Sequence, residues 1–161
     1  MKKVEFLEVV IGPKGVEIQR EKIEEVLSWL TPRNIKKMQK FLGLANYYRW
    51  FIKNFAKLAV PLHVLVRKEE KWRWKKAQEK TSRKLKKTFT TELVLAILDL
   101  NKKIWVKADA LDYATEGVLS TKYRDGKWRL VVFISKTLNT TEQNYEIHDK
   151  EMLAVIWCLE A

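Results

Sequence analysis

Two apolar runs open the chain, Val4–Ile11 and Val16–Ile18, separated by Gly12-Pro13-Lys14-Gly15. Proline fixes one backbone angle and the glycines permit positive φ, so the pattern predicts a β-hairpin. From Glu21 the positions Ile23, Val26, Leu27 and Leu30 recur at helical spacing, and Thr31-Pro32 ends that short helix. Thr31 as N-cap with Pro32 in the first helical position predicts a second, long helix. Its apolar face runs Ile35, Met38, Phe41, Leu42, Ala45, Tyr48, Phe51, Ile52 and Phe55, the strongest period in the sequence. The opposite face carries Arg33, Lys36, Lys37, Lys40, Asn46, Arg49 and Lys53, with Tyr47 and Trp50. Gly43 costs a helix about 1 kcal/mol relative to alanine, which predicts that another helix or a nucleic-acid strand approaches the backbone there.

A charged connector, Arg67–Lys76, holds Trp72 and Trp74 and predicts a module boundary. Ala77–Phe89 then reads as a basic helix anchored by Leu85 and Phe89. Three strand-like segments follow, Ile104–Asp109, Ala114–Lys122 and Trp128–Ser135, the last two joined through Asp125-Gly126, strong hairpin chemistry. Val131, Val132, Phe133 and Ile134 are continuously apolar, so the third segment is expected to be covered on both faces. After a polar loop, Met152, Leu153, Val155, Ile156 and Leu159 predict a helix from Ile147 to the last residue, Ala161. The fold class is α+β.

Charge adds a polarity that the pattern lacks. Residues 1–87 hold 23 Lys/Arg against 9 Asp/Glu, whereas residues 88–161 hold 9 against 11. Clustered cations gain by releasing counterions from phosphates, so the first half reads as polyanion-facing. Apolar runs such as residues 93–98 and 131–134 fall far short of the roughly 20 needed to span a bilayer, and no membrane partner is expected. Lys2-Lys3 before the first apolar run resembles a signal peptide, but Glu5 and Glu8 interrupt that run and no small-residue cleavage site follows. One cysteine, Cys158, can form neither an internal disulfide nor a zinc cluster; cytoplasm or nucleus is expected, with Cys158 a small core residue. His63 and His148 read as surface or capping groups.

Quotable runs carry a resemblance. They are Val4-Glu5-Phe6-Leu7, then Phe41-Leu42-Gly43-Leu44-Ala45-Asn46-Tyr47-Tyr48-Arg49, Pro61-Leu62, Asp109-Ala110, Gly117-Val118-Leu119-Ser120, Ser135-Lys136-Thr137-Leu138, Asn144-Tyr145 and Lys150-Glu151. In this order and spacing the chain resembles the C-terminal part of the polymerase polyprotein of gypsy-type LTR retrotransposons, where the reverse transcriptase thumb leads into a ribonuclease H domain. The resemblance implies an end-of-palm β-hairpin over 1–20, a helical thumb over 21–67, and over 68–161 a linker helix with the N-terminal half of an RNase H-like unit, three antiparallel strands plus one helix. It implies that Lys36, Lys37, Lys40, Arg49 and Lys53 track an RNA/DNA hybrid or template–primer duplex. It also implies that Asp109 and Glu151 are catalytic carboxylates holding Mg²⁺, since two-metal hydrolysis needs clustered oxygen ligands.

Several positions depart from that family. Glu8 stands where glycine follows Phe-Leu, Thr81-Ser82 replace an Ala-Phe pair, Leu93 replaces proline, Ala108 and Leu111 flank Asp109 where Thr and Ser are usual, and Glu116 fills a slot usually small. The chain holds no Tyr-x-Asp-Asp polymerase motif and ends after the first ribonuclease H helix, before two further acidic ligands. Expected properties are therefore those of a fragment that binds nucleic acid without turnover, with weak or absent Mg²⁺ binding. Its first strand is expected to be an unpaired edge open to self-association. The alternatives are a non-enzymatic protein-interaction module and a nuclease completed by another chain.

Overall fold

The computed structural model describes residues 3–68, 70–90 and 94–160. The first apolar run forms two strands, β1 (Val4–Phe6) and β2 (Val9–Gly12), rather than one, and β3 (Gly15–Ile18) completes an antiparallel sheet in the order β1-β2-β3. Phe6 pairs with Val9, so Leu7 and Glu8 alone reverse the chain, with φ of 45° and 65°. A two-residue turn with both residues left-handed matches the twist of its strands, and it is normally announced by Asn-Gly or Asp-Gly. Gly15, at φ 135°, lets Val16 exchange backbone hydrogen bonds with Leu95 at 2.8 and 2.9 Å; a Cβ there would lie 2.0 Å from the Leu95 carbonyl oxygen.

Helix α1 spans Arg20–Ser28, as the spacing predicts. The long helix does not form as one rod. Asn34, not Thr31, caps α2 (Ile35–Tyr47), its side chain accepting from the Lys37 N–H at 2.9 Å. A 3₁₀ turn follows at Arg49–Phe51, and α3 (Phe55–Val64) starts after Asn54, which sits at φ 59°. The apolar period survives this break because Phe51, Ile52 and Phe55 stay buried through the turn. Pro61 lies inside α3, and its carbonyl accepts from the Gln78 side chain at 3.1 Å.

Helix α4 (Lys76–Phe89) begins where the connector ends and buries Leu85 and Phe89 among Met38, Phe41, Tyr48, Ile52 and Leu62. Lys86 reaches over to α1, donating to the carbonyls of Leu27 and Trp29 and closing that helix's C-terminus. Leu93, one of the departures, lies outside the described residues.

The second sheet is β4 (Ile104–Ala110), β5 (Ala114–Lys122) and β6 (Trp128–Thr137), antiparallel in the order β4-β5-β6, with a bulge at Leu119/Ser120. The interior strand is β5. Val131–Ile134 are only half-buried, so β6 is not the doubly covered strand that its composition predicts; it lies at one edge of the sheet. Helix α5 (Ile147–Leu159) turns Lys150, Ala154 and Cys158 inward over β4 and β5, stopping short of Ala161, which lies outside the described residues. Gly117 is required here, because a Cβ would meet the Cys158 sulfur at 2.1 Å. The other face of β6 meets the 3₁₀ turn and α3, where the Ala56 N–H donates to Ser135 Oγ at 2.8 Å.

Candidate nucleic-acid interface and carboxylate site

On α2, Met38, Phe41, Leu42 and Ala45 are buried, and the helical period places Lys36, Lys40, Gly43 and Tyr47 in a row on the opposite side, with Lys37 beside them. All five are exposed. A Cβ on Gly43 would meet nothing within 4 Å, so no part of the described chain is what approaches this glycine. Tyr47 leans the other way at its tip, its hydroxyl donating to the Leu7 carbonyl.

The remaining two predicted cations do not continue this row, because α2 ends at Tyr47. Arg49 is half-buried, its guanidinium 5.5 Å from the centre of the Trp50 ring and its Nη1 donating to the Asn46 carbonyl at 3.4 Å. Lys53 is exposed in the turn before α3 and acts electrostatically on Glu116 of the second sheet, together with Lys57. The cations thus fall into a row on α2 and a pair beside the sheet. Lys57 was missed from the sequence, although it follows Lys53 by one helical turn.

Asp109 lies on β4 opposite Glu116, which in turn lies opposite Ser135. Side chains directly opposite share a face, and neighbours along a strand alternate. Ser135 faces α3 and Gly117 faces α5, so Asp109 and Glu116 project from the face that α5 does not cover. Glu151 sits in α5 next to the inward Lys150 and is exposed. The structure brings Asp109 together with Glu116, a residue conspicuous in the sequence only for its bulk.

Burial pushes the Glu116 carboxyl up; Lys57 pulls it back, the charge of Asp109 adds to the rise, and Lys53 opposes it. Its Oε1 is buried without a hydrogen-bond partner. Among the described residues no three His, Cys, Asp or Glu side chains stand close enough to hold a metal ion. Taken alone, they do not assemble the oxygen cage that a hard cation such as Mg²⁺ takes. Burial also raises the Cys158 thiol, in keeping with a packing role.

A palm-like sheet, a helical core and a three-stranded sheet carrying one helix define a segment of the reverse transcriptase–ribonuclease H architecture. The fold is shared with the foamy viral protease-reverse transcriptase in complex with dsDNA (TM-score 0.81, 21% identity, 99% of this chain and 33% of that one). It is equally shared with the same viral protein in complex with an RNA/DNA hybrid (TM-score 0.81, 22% identity, 98% and 21%). Residues 74–161 match the RNase H-like domain found in reverse transcriptase. The Transposon Tf2-3 and Tf2-4 polyproteins of Schizosaccharomyces pombe (strain 972 / ATCC 24843) are each 37% identical over 157 residues, 98% of this chain. The chain belongs to this reverse transcriptase RNase H-like family, within the polyproteins of LTR retrotransposons. It spans 12% of the length of those Tf2 polyproteins.

Proposed function

We propose that the chain grips a nucleic-acid duplex, an RNA/DNA hybrid or template–primer, without turning it over on its own. Residues 1–20 then serve as the end of the palm, 21–67 as the thumb, and 68–161 as the linker helix and first half of the RNase H-like unit. The observation that carries this reading is the exposed row Lys36, Lys40, Gly43 and Tyr47: two cations, then a bare backbone patch that nothing in the described chain fills. Arg49 and Lys53 extend the contact towards the second sheet. Asp109 projects from the sheet face away from α5, the helix that carries Glu151, so the joint metal-binding role that the resemblance implies for these two is not built by the described residues, and no Mg²⁺-dependent step is assigned to this chain.

Anisotropy of a labelled RNA/DNA hybrid tests it. Affinity is expected to fall steeply between 50 and 200 mM salt, about 0.9 log units per log unit of salt for each phosphate neutralised. Lys36→Ala/Lys37→Ala/Lys40→Ala is expected to flatten that slope by about two to three. A salt-independent affinity, or a triple variant that binds as tightly as the parent, overturns the reading. Mg²⁺-dependent cleavage of the hybrid, lost in Asp109→Asn, overturns the absence of turnover.

One observation favours a second reading, a protein-interaction module. Among the described residues β4 is hydrogen-bonded on one side only, to β5, leaving its other edge as a template for a further strand. Concentration-dependent dimers without any affinity for the hybrid are the outcome that selects it.

A further inference from the structure

The second half of the chain is neutral only on average. Six of the nine Lys/Arg after residue 87 lie at 102–103 and 122–129, which the register brings to one end of the second sheet, and Lys107 stands midway along β4. Two tryptophans stand at that same end. Trp105 pairs across with Ser120, and Lys122, two residues further on, pairs with Trp128, so Trp105, Lys107, Lys122 and Trp128 project from one face. Because Ser120 between them is small, the two indoles meet over the central strand, ring centres 5.5 Å apart at 64°. Trp105 is 55% exposed and Trp128 41%. Lys122 stands 6.0 Å from the Trp128 ring centre.

Exposing two indoles together costs free energy that burial elsewhere would recover, so a pair left open on a cationic face marks a surface with a use. On the other side of the same hairpin the cations are already engaged: Lys102 and Arg129 flank the Tyr123 ring at 4.2 and 4.1 Å and pair with Asp99 and Asp125. Lys107 and Lys122 enter no ion pair among the described residues.

We propose that Trp105 and Trp128 form a stacking platform for a single-stranded nucleic-acid segment, with Lys107 and Lys122 on its phosphates. A duplex hides its base faces, whereas an unpaired strand offers one per nucleotide, so aromatic platforms flanked by lysine take single strands with little regard to sequence. The inference rests on the reading that this chain contacts nucleic acid, but it uses residues of the second sheet and none of the α2 row.

The test compares the affinity of the full chain for a labelled twelve-nucleotide oligo-dT with that for an abasic strand of the same length, which keeps the phosphates and lacks the bases. Oligo-dT is expected to bind about tenfold more tightly or better. Trp105→Ala/Trp128→Ala is expected to bring that ratio close to one while hybrid affinity changes less than twofold; Trp105→Phe/Trp128→Phe is expected to keep most of it. A ratio near one in the unsubstituted chain, which needs no variant to fold, overturns the proposal. So does a ratio that survives the double alanine change. Lys36→Ala/Lys40→Ala separates the two readings: loss of hybrid binding with an intact dT-to-abasic ratio leaves both standing, while a salt-independent hybrid affinity with that ratio intact removes the α2 grip alone.

Discussion

The hydroxyl of Tyr48 donates to Glu8, forty residues earlier, at 3.3 Å. Glu8 also takes the Lys22 ammonium at 2.9 Å, and the neighbouring Tyr47 donates to the Leu7 carbonyl. Both residues of the left-handed turn are therefore tied to the helical core, at its junction with the first sheet. Two adjacent tyrosines, packed edge to face at 4.9 Å, hold a reversal that the residues themselves disfavour.

That strain is removable. Leu7 is 67% exposed at φ 45°, a region that costs a non-glycine residue about 1–2 kcal/mol. Leu7→Gly is expected to gain about 0.5–1 kcal/mol after the extra chain entropy of glycine is counted. Thermal unfolding checks it; a lowered midpoint would show the turn to be unstrained.

The Glu8 contact carries a pH dependence. The bond from Lys22 holds the Glu8 carboxyl below its ordinary 4.5, so its contribution is complete above that value and disappears as pH falls through the lower folded one. Stability measured from pH 6 downwards should show this loss, and Glu8→Gln should remove it at a cost of about 0–1 kcal/mol near neutrality, the usual worth of an exposed pair. An unchanged acid limb in the variant would mean that other carboxylates dominate.

Gly43 separates stability from binding. Alanine there meets no neighbour and is expected to stabilise α2 by about 1 kcal/mol, yet to weaken hybrid binding by placing a methyl where a backbone is approached. Melting and anisotropy on the same sample decide it. A stabilised variant with unaltered affinity would move the duplex off this face.

At Gly117 the obstacle is internal. Gly117→Ala drives its methyl into the Cys158 sulfur and is expected to cost about 1–3 kcal/mol. Cys158→Ala in that background should recover part of the loss, although alone it leaves a small void. Strictly additive effects would place the clash elsewhere.

The sequence made most elements legible where period and turn chemistry agree: α1, α4, the Asp125-Gly126 hairpin and α5 all lie close to where spacing predicts them. It failed where one signal masked another. Leu7 and Glu8 lack the glycine or asparagine that marks a tight reversal, so Val4–Ile11 reads as one strand. Phe51, Ile52 and Phe55 continue a helical period through a turn that contains no proline, and only Asn54 hints at the break, while Pro61 hides α3. The carboxylate site was half legible. Asp109 is conspicuous from its motif, but which face it takes follows from the pairing with Glu116 and from Gly117 against Cys158, and neither can be read before the register is known. The tryptophan pair was invisible for the same reason, since residues 105 and 128 meet only across an intervening strand.

The second sheet, seven residues along β4 and about 20 Å from end to end, has Lys-rich tips at Ile104 and Trp128 and carboxylates at Asp109, Asp112 and Glu116. Those tips would draw a polyanion towards that end of the sheet before contact, and the steering would speed capture at low ionic strength and fade as added salt screens it.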